Sequence, residues 1–216
     1  MVANLPLFPL STVLMPGAPL PLHIFEPRYR QLTVDLVTGA VPGKRFGVIA
    51  VREGFDGEET AVLHGVGCTA ELLDVRRLPD GRYDIVTRGC QRFRLLDVDT
   101  EARPYLMADV EYLPDLPGQP ADDLAFLAGA ARAAHRHYCA TAWKSGDWSE
   151  PAELPHLLAA DCLLPMSDRQ RLLEQTRPAI RLRMVRALMI REAGLLGTLH
   201  AVPAPLHTFA ADSSSN

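Results

Sequence analysis

Residues 19–30 read PLPLHIFEPRYR, and the interpretation of the fold turns on where this stretch stops being extended and starts being helical. Alternating proline and leucine keep residues 19–25 extended, because proline fixes φ and withholds an N–H. From Glu26 the pattern changes. Glu26 sits where a helix cap would stand, Pro27 suits the first helical turn, and Gly39 suits the stop. Tyr29, Leu32, Leu36 and Val37 recur at helical spacing, so one face is apolar. His23, three residues before Glu26, invites a catalytic or metal reading. A strand-end side chain followed by a helix cap explains the same spacing and is preferred here.

Working outward, LPLFPL (5–10) has prolines among apolar residues, which fits an edge strand better than a central one. A turn at Met15-Pro16-Gly17 separates it from residues 19–25. FGVIAV (46–51) is a short apolar run expected to be buried on both faces. Two longer β regions, 61–78 and 82–98, flank Pro79-Asp80-Gly81, a strong turn signal. YLMADVEYL (105–113) adds another strand. Short strands joined by turns, with one early helix, predict a small closed or nearly closed β barrel.

Composition shifts after Leu113. PDLPGQPADD (114–123) reads as a linker, and beyond it Leu124, Leu127, Ala131, Ala134 and Tyr138 mark a helical stripe. KSGDWSEP (144–151) breaks the pattern. A short helix is expected around 153–164, then a turn or two opened by a Ser167/Gln170 capping box. A last helix is expected over Pro178–Leu196. The domain reading is therefore a β barrel over 1–115, a helical subdomain over 116–202 and a disordered tail over 203–216.

The 216 residues carry a net charge of −4, with 48% hydrophobic and 22% charged residues, as in ordinary globular proteins. Nothing in that balance points to nucleic acid. No run of eighteen apolar residues is present and the N-terminus lacks a signal-peptide pattern, so a cytoplasmic, non-membrane location is expected. Cys68, Cys90, Cys139 and Cys162 are widely spaced, and reduced, mostly buried thiols are expected.

Searches for chemistry return little. Gly39–Arg45 is too short between its glycines for a phosphate loop and has Arg45 where a hydroxyl should hold magnesium. Gly65-Val66-Gly67 fits a bulge or a tight approach better than a dinucleotide site. Lys44 and Lys144 are the only lysines, and Ser145, next to Lys144, makes a poor dyad. His135 and Cys139 lie one helical turn apart, with His137 nearby, but no further ligand is marked and packing roles are preferred. Arg88, Arg92 and Arg94 with Phe93 resemble an RNA-stacking strand, although a solvated sheet face reads the same way. No catalytic residue, cofactor or metal is expected.

The order of these landmarks, from LPLFPL through HIFEPRYR and FGVIAV to LPDG with its arginine-rich strand and PYLMADVEYLPD, resembles the N-terminal domain of Lon proteases over roughly residues 4–115. The helical remainder is similar to the bundle that follows that domain. The resemblance implies an α+β fold: a PUA-like β barrel with one inserted helix, followed by a C-terminal helical subdomain. It also implies recognition of unfolded or extended polypeptide segments by a non-catalytic, stand-alone module, an adaptor or chaperone-like factor. A separate protease is a candidate partner, and self-association is left open. Phe25, Arg28 and Tyr29 are the candidate polypeptide-contacting residues, with the proline-rich strands as a candidate edge for an incoming chain. RNA binding through the barrel and an undetected hydrolase are the alternatives.

Overall fold

The computed structural model describes residues 2–52, 62–116, 118, 121–142 and 154–199. Six strands come first: β1 (Val2–Leu10), β2 (Pro19–Ile24), β3 (Arg45–Ala50), β4 (Val66–Arg77), β5 (Tyr83–Asp99) and β6 (Met107–Tyr112). Helix α1 (Pro27–Thr38) is inserted between β2 and β3, followed by a short 3₁₀ turn at Pro42–Lys44. Four helices follow: α2 (Ala121–Ala142), α3 (Leu154–Asp161), α4 (Met166–Glu174) and α5 (Pro178–Leu199).

The sheet order is β2-β5-β4-β3-β1-β6, and an additional β5–β6 pairing closes it. Five strands therefore form a barrel, and β2 hangs on the outer part of β5. The closing strand is long enough for three partners. Residues Tyr83–Arg88 of β5 face β2, while Phe93–Asp99 face β6. Register shifts at Cys68/Ala70, Leu72/Asp74 and Leu95/Asp97 supply the bends that closure needs.

Strand β1 corrects the edge-strand expectation, because it lies between β3 and β6. Its first half, Val2–Pro6, pairs antiparallel with β6, and its second half, Leu7–Leu10, pairs parallel with β3. Each half has a partner on one side only, which is how Pro6 and Pro9 fit without leaving a ladder donor missing. The actual edge is β2.

Leu5, Leu7, Ile49, Phe93, Ala108 and Val110 form a small core inside the barrel. Gly67 makes room for it: a Cβ there would collide with the Phe93 ring and the Val48 carbonyl. A second, larger core runs from Phe8, Phe46 and α1 through Tyr138, Leu158, Leu172 and Val185 of the helices. Strand β3 serves both, so it is buried on both faces as its apolar run predicts.

Helix α1 begins at Pro27 and ends at Gly39, whose φ of 83° gives the left-handed stop. Glu26 occupies the cap position, but its side chain makes no capping bond. The Ser167/Gln170 capping box does not form either. Pro165 is the cap residue of α4, and Gln170 instead donates to the Val66 carbonyl at 3.0 Å and to Glu174. The 144–151 break and the 203–216 tail lie outside the described residues, as do Lys144 and Ser145.

Candidate functional site

The end of β1, the β2–α1 corner and the far end of the β5–β6 hairpin surround a cleft of about 800 Å³. Its lining is mostly apolar: Phe8, Leu10, Leu22, Ile24, Phe25, Val51, Leu63, Leu95, Val98 and Leu106, with His23, Glu26, Arg28 and Thr100 among the polar members. Phe25, Arg28 and Tyr29 all line it. Their exposures differ sharply, and that difference assigns them different jobs.

Phe25 is the residue between strand and helix, and its side chain is 60% exposed. Tyr29 is only 4% exposed; its ring stacks on Phe8 with centroids 3.9 Å apart and planes 15° apart. It forms a wall of the cleft, on the apolar helix face that its spacing with Leu32 and Leu36 predicts. Burial pushes its phenol pKa up, against a lowering by Arg28. The Arg28 guanidinium lies 4.6 Å from the Tyr29 ring centroid, a cation–π contact, and its Nε donates to Glu26 at 2.8 Å. Glu26 thus holds Arg28 over the ring, which explains why its carboxylate does not cap α1.

His23 is committed to surface hydrogen bonds. Its Nε2 lies 3.2 Å from an Arg82 guanidinium nitrogen and its Nδ1 lies 2.7 Å from Asp84. A guanidinium only donates, so Nε2 accepts and Nδ1–H donates to the carboxylate. Asp84 is held below the usual carboxylate range by Arg76 first and His23 second. With both ring nitrogens occupied, the spacing from His23 to Glu26 carries no chemistry.

Behind the cleft, buried Asp35 of α1 accepts hydrogen bonds from the Tyr105 hydroxyl (2.6 Å) and Gln31 (2.7 Å), and Arg103 approaches at 3.5 Å. Burial, reinforced by that bond to Asp35, pushes the Tyr105 phenol up to about 12. This network ties the segment before β6 to α1 and so places Leu106 in the cleft lining.

The arginine strand has a different role from the one its sequence invites. Phe93 is fully buried and the Arg92 side chain is 4% exposed, so neither is available to stack on a base. Arg92 donates to the Leu173 and Gln175 carbonyls at 2.8 Å and to Asp115 at 2.5 Å. Arg181 of α5, with a fully buried side chain, donates to the same carboxylate. Desolvation, with Arg181 nearby, lowers the Arg92 pKa to about 10. These three residues latch barrel, linker and helices together. Arg94 is exposed and pairs with Glu111.

His135 and Cys139 do meet, with Sγ 3.4 Å from Nε2, and Asp161 of α3 joins them 2.7 Å from the same nitrogen. His137 is exposed. A nucleophile–base–carboxylate triad would use opposite ring nitrogens and an open thiol. Here the thiol lies across both ring nitrogens, 3.4 Å from Nε2 and 3.8 Å from Nδ1, and Cys139 is buried, so no open nucleophile is presented. Among the described residues, no helix is long and apolar enough to cross a membrane.

A small closed barrel with an inserted helix, latched to four further helices and opening an apolar cleft at the strand–helix corner, defines the class of fold. The family model for the ATP-dependent protease La (LON) substrate-binding domain matches residues 4–191, and the chain belongs to that family. It is similar to the Lon protease of Anaeromyxobacter dehalogenans, 27% identical over 205 residues, which cover 90% of this chain and 24% of that one. Porphyromonas gingivalis Lon protease is 33% identical over 116 residues, 52% of this chain and 13% of that one. The chain thus spans about a quarter or less of the length of these relatives. Among solved structures, the Lon N-terminal domain protein from Xanthomonas campestris aligns with a TM-score of 0.63 and 26% identity, covering 86% of this chain and 98% of that one. The N-terminal domain of Mycobacterium avium complex Lon protease shares the fold at a TM-score of 0.64 and 19% identity, covering 87% of this chain and 98% of that one.

Proposed function

We propose that this chain is a non-catalytic polypeptide-binding module, and that the cleft at the β2–α1 corner takes up apolar side chains of unfolded or extended segments. The carrying observation is Phe25, a large apolar side chain 60% exposed at the rim of a mostly apolar cleft. Concave apolar surface left facing water is the usual mark of an interaction site. Membership of a substrate-binding domain family supports the polypeptide as ligand. The same kinship supports an adaptor role beside a separate protease, with barrel and helical subdomain acting as one unit.

The chemistry of β2 argues for side-chain capture over strand addition. Pro19 and Pro21 have no N–H, so they occupy positions where β5 requires no donor, and the donors to β5 come from Leu20, Leu22 and Ile24. Of the alternate positions 19, 21 and 23, only His23 retains an outward N–H. Such an edge is a poor template for an incoming strand. Recognition then rests on apolar burial, at roughly 25 cal/mol per Å² before ordering costs. It is tolerant of sequence, as quality control requires.

The test is photo-cross-linking with an extended peptide carrying photoreactive leucine analogues. Cross-links to Phe25, Leu63 and Leu95 support the cleft, whereas cross-links confined to the outer edge of β2 or to α5 contradict it. A salt series separates RNA: apolar capture is nearly flat with ionic strength, while phosphate contacts weaken steeply.

A further inference from the structure

We propose that His135, Cys139 and Asp161 bind one divalent transition-metal ion of the zinc type, joining the C-terminal half of α2 to the end of α3. The proposal is independent of the cleft and its ligand. It also reverses the expectation, drawn from spacing alone, that the His135–Cys139 pair merely packs.

Three ligand atoms of different side chains lie within 4.8 Å of one another: His135 Nε2, Cys139 Sγ and an Asp161 carboxylate oxygen. With Zn–N and Zn–O bonds of about 2.0–2.2 Å and Zn–S of about 2.3 Å, a tetrahedral site has edges of roughly 3.3–3.6 Å. The observed Sγ–Nε2 and Sγ–Oδ2 separations are 3.4 and 3.8 Å. The Nε2–Oδ2 edge of 2.7 Å is a hydrogen-bond distance and must open by roughly half an ångström to admit the ion. His135 and Cys139 are fixed relative to one another by i,i+4 spacing on a helix, so two of the three ligands are preorganised.

Three ligand-type atoms of different chemistry converge on one buried point. The sulfur lies 3.4 Å from Nε2 and 3.8 Å from Nδ1, and the carboxylate oxygen lies 2.7 Å from Nε2. Without an ion, the carboxylate accepts from the ring N–H and from the Cys139 thiol. A cation among the three atoms satisfies all of them. Charge points the same way: a thiolate and a carboxylate together carry −2, which a divalent ion cancels with a neutral imidazole as third ligand. That balance matters where His135 is 3% and Cys139 7% exposed.

Sulfur and nitrogen donors select zinc-like ions over magnesium or calcium, which require oxygen shells. Asp161, with its side chain 20% exposed, is the member nearest to solvent and gives a fourth ligand a way in. Binding displaces the thiol proton to solvent and forms the metal–sulfur bond, with no change of oxidation state. Since His135 and Asp161 are 26 residues apart, the ion cross-links a long chain segment.

The experiment uses the full chain, stripped by chelator and titrated with Co²⁺, then with Zn²⁺. The expected result is one equivalent of Co²⁺ with a thiolate-to-metal charge-transfer band, displaced by one equivalent of Zn²⁺, and a higher Tm with metal. Cys139→Ser should abolish the band. His135→Gln and Asp161→Asn should weaken affinity by about tenfold or more. His137→Ala and Cys162→Ser should leave the spectrum unchanged. Asp161→Asn is nearly isosteric and partly exposed, so it keeps the test valid if a buried variant misfolds. No band in the parent chain, a band that survives Cys139→Ser, or one lost with His137→Ala or Cys162→Ser would overturn the proposal.

Discussion

At the barrel mouth, Phe25 and its neighbours leave apolar surface facing water; at the junction with the helices, Arg92 and Arg181 carry charge away from water and share the partly exposed Asp115 carboxylate. Each arrangement is unfavourable alone, and each is offset differently. The junction answers its own charge: two guanidiniums share one carboxylate and several carbonyls. The cleft is closed by nothing within the described residues. Completed polar networks of this kind fix how elements sit, whereas incomplete apolar surfaces remain for partners.

The comparison breaks most readily at the junction. Asp115→Ala strands two buried guanidiniums without a counter-charge, and about 3–5 kcal/mol of stability should be lost, read from the urea midpoint. A loss under about 1 kcal/mol would mean that water already screens these charges, and the contrast with the cleft would fail. Next comes the cleft wall. Tyr29→Ala removes a buried ring stacked on Phe8 and should cost about 3 kcal/mol, as other buried aromatic truncations do. If it weakened peptide binding at full stability, Tyr29 would be contact surface after all.

A smaller effect belongs to His156, buried behind the junction with an unpartnered Nε2. Burial, and then Arg181 and Arg92, hold its pKa well below 6.5. The unfolded chain takes up a proton below pH 6.5 that the folded chain refuses. Stability from this residue is therefore intact above about pH 7 and falls on acidification, by up to about 1.4 kcal/mol per pH unit. His156→Leu should flatten the slope between pH 7 and 5 in parallel denaturation series. An unchanged slope would place the acid sensitivity elsewhere.

What the sequence displayed and what it hid divide along the same line. Pro27 and Gly39 bracket α1, and Pro79-Asp80-Gly81 turns β4 into β5, because those effects act within a few residues. Phe25, Arg28 and Tyr29 share one cleft lining for the same reason, since strand end and helix start are adjacent. Arg92 was misread as surface because its acceptors lie 81 and 83 residues away. Strand β1 looked like an edge because its change of partner midway leaves no local trace. Ser167 and Gln170 had capping-box spacing, yet Pro165 starts the helix and Gln170 is drawn to Val66, more than a hundred residues back. Asp161 beside His135 and Cys139 was equally invisible, being supplied by another helix.

The central claim is that the cleft captures apolar side chains through Phe25, and one comparison addresses it most directly. Affinity for a permanently unfolded, fluorescently labelled polypeptide should be measured by anisotropy for the parent chain and for Phe25→Ala, with Tm determined alongside. The account predicts about tenfold weaker binding, roughly 1.4 kcal/mol, with stability changed by less than about 0.5 kcal/mol because the side chain is mostly exposed. Equal affinity for the two proteins at equal Tm would contradict it.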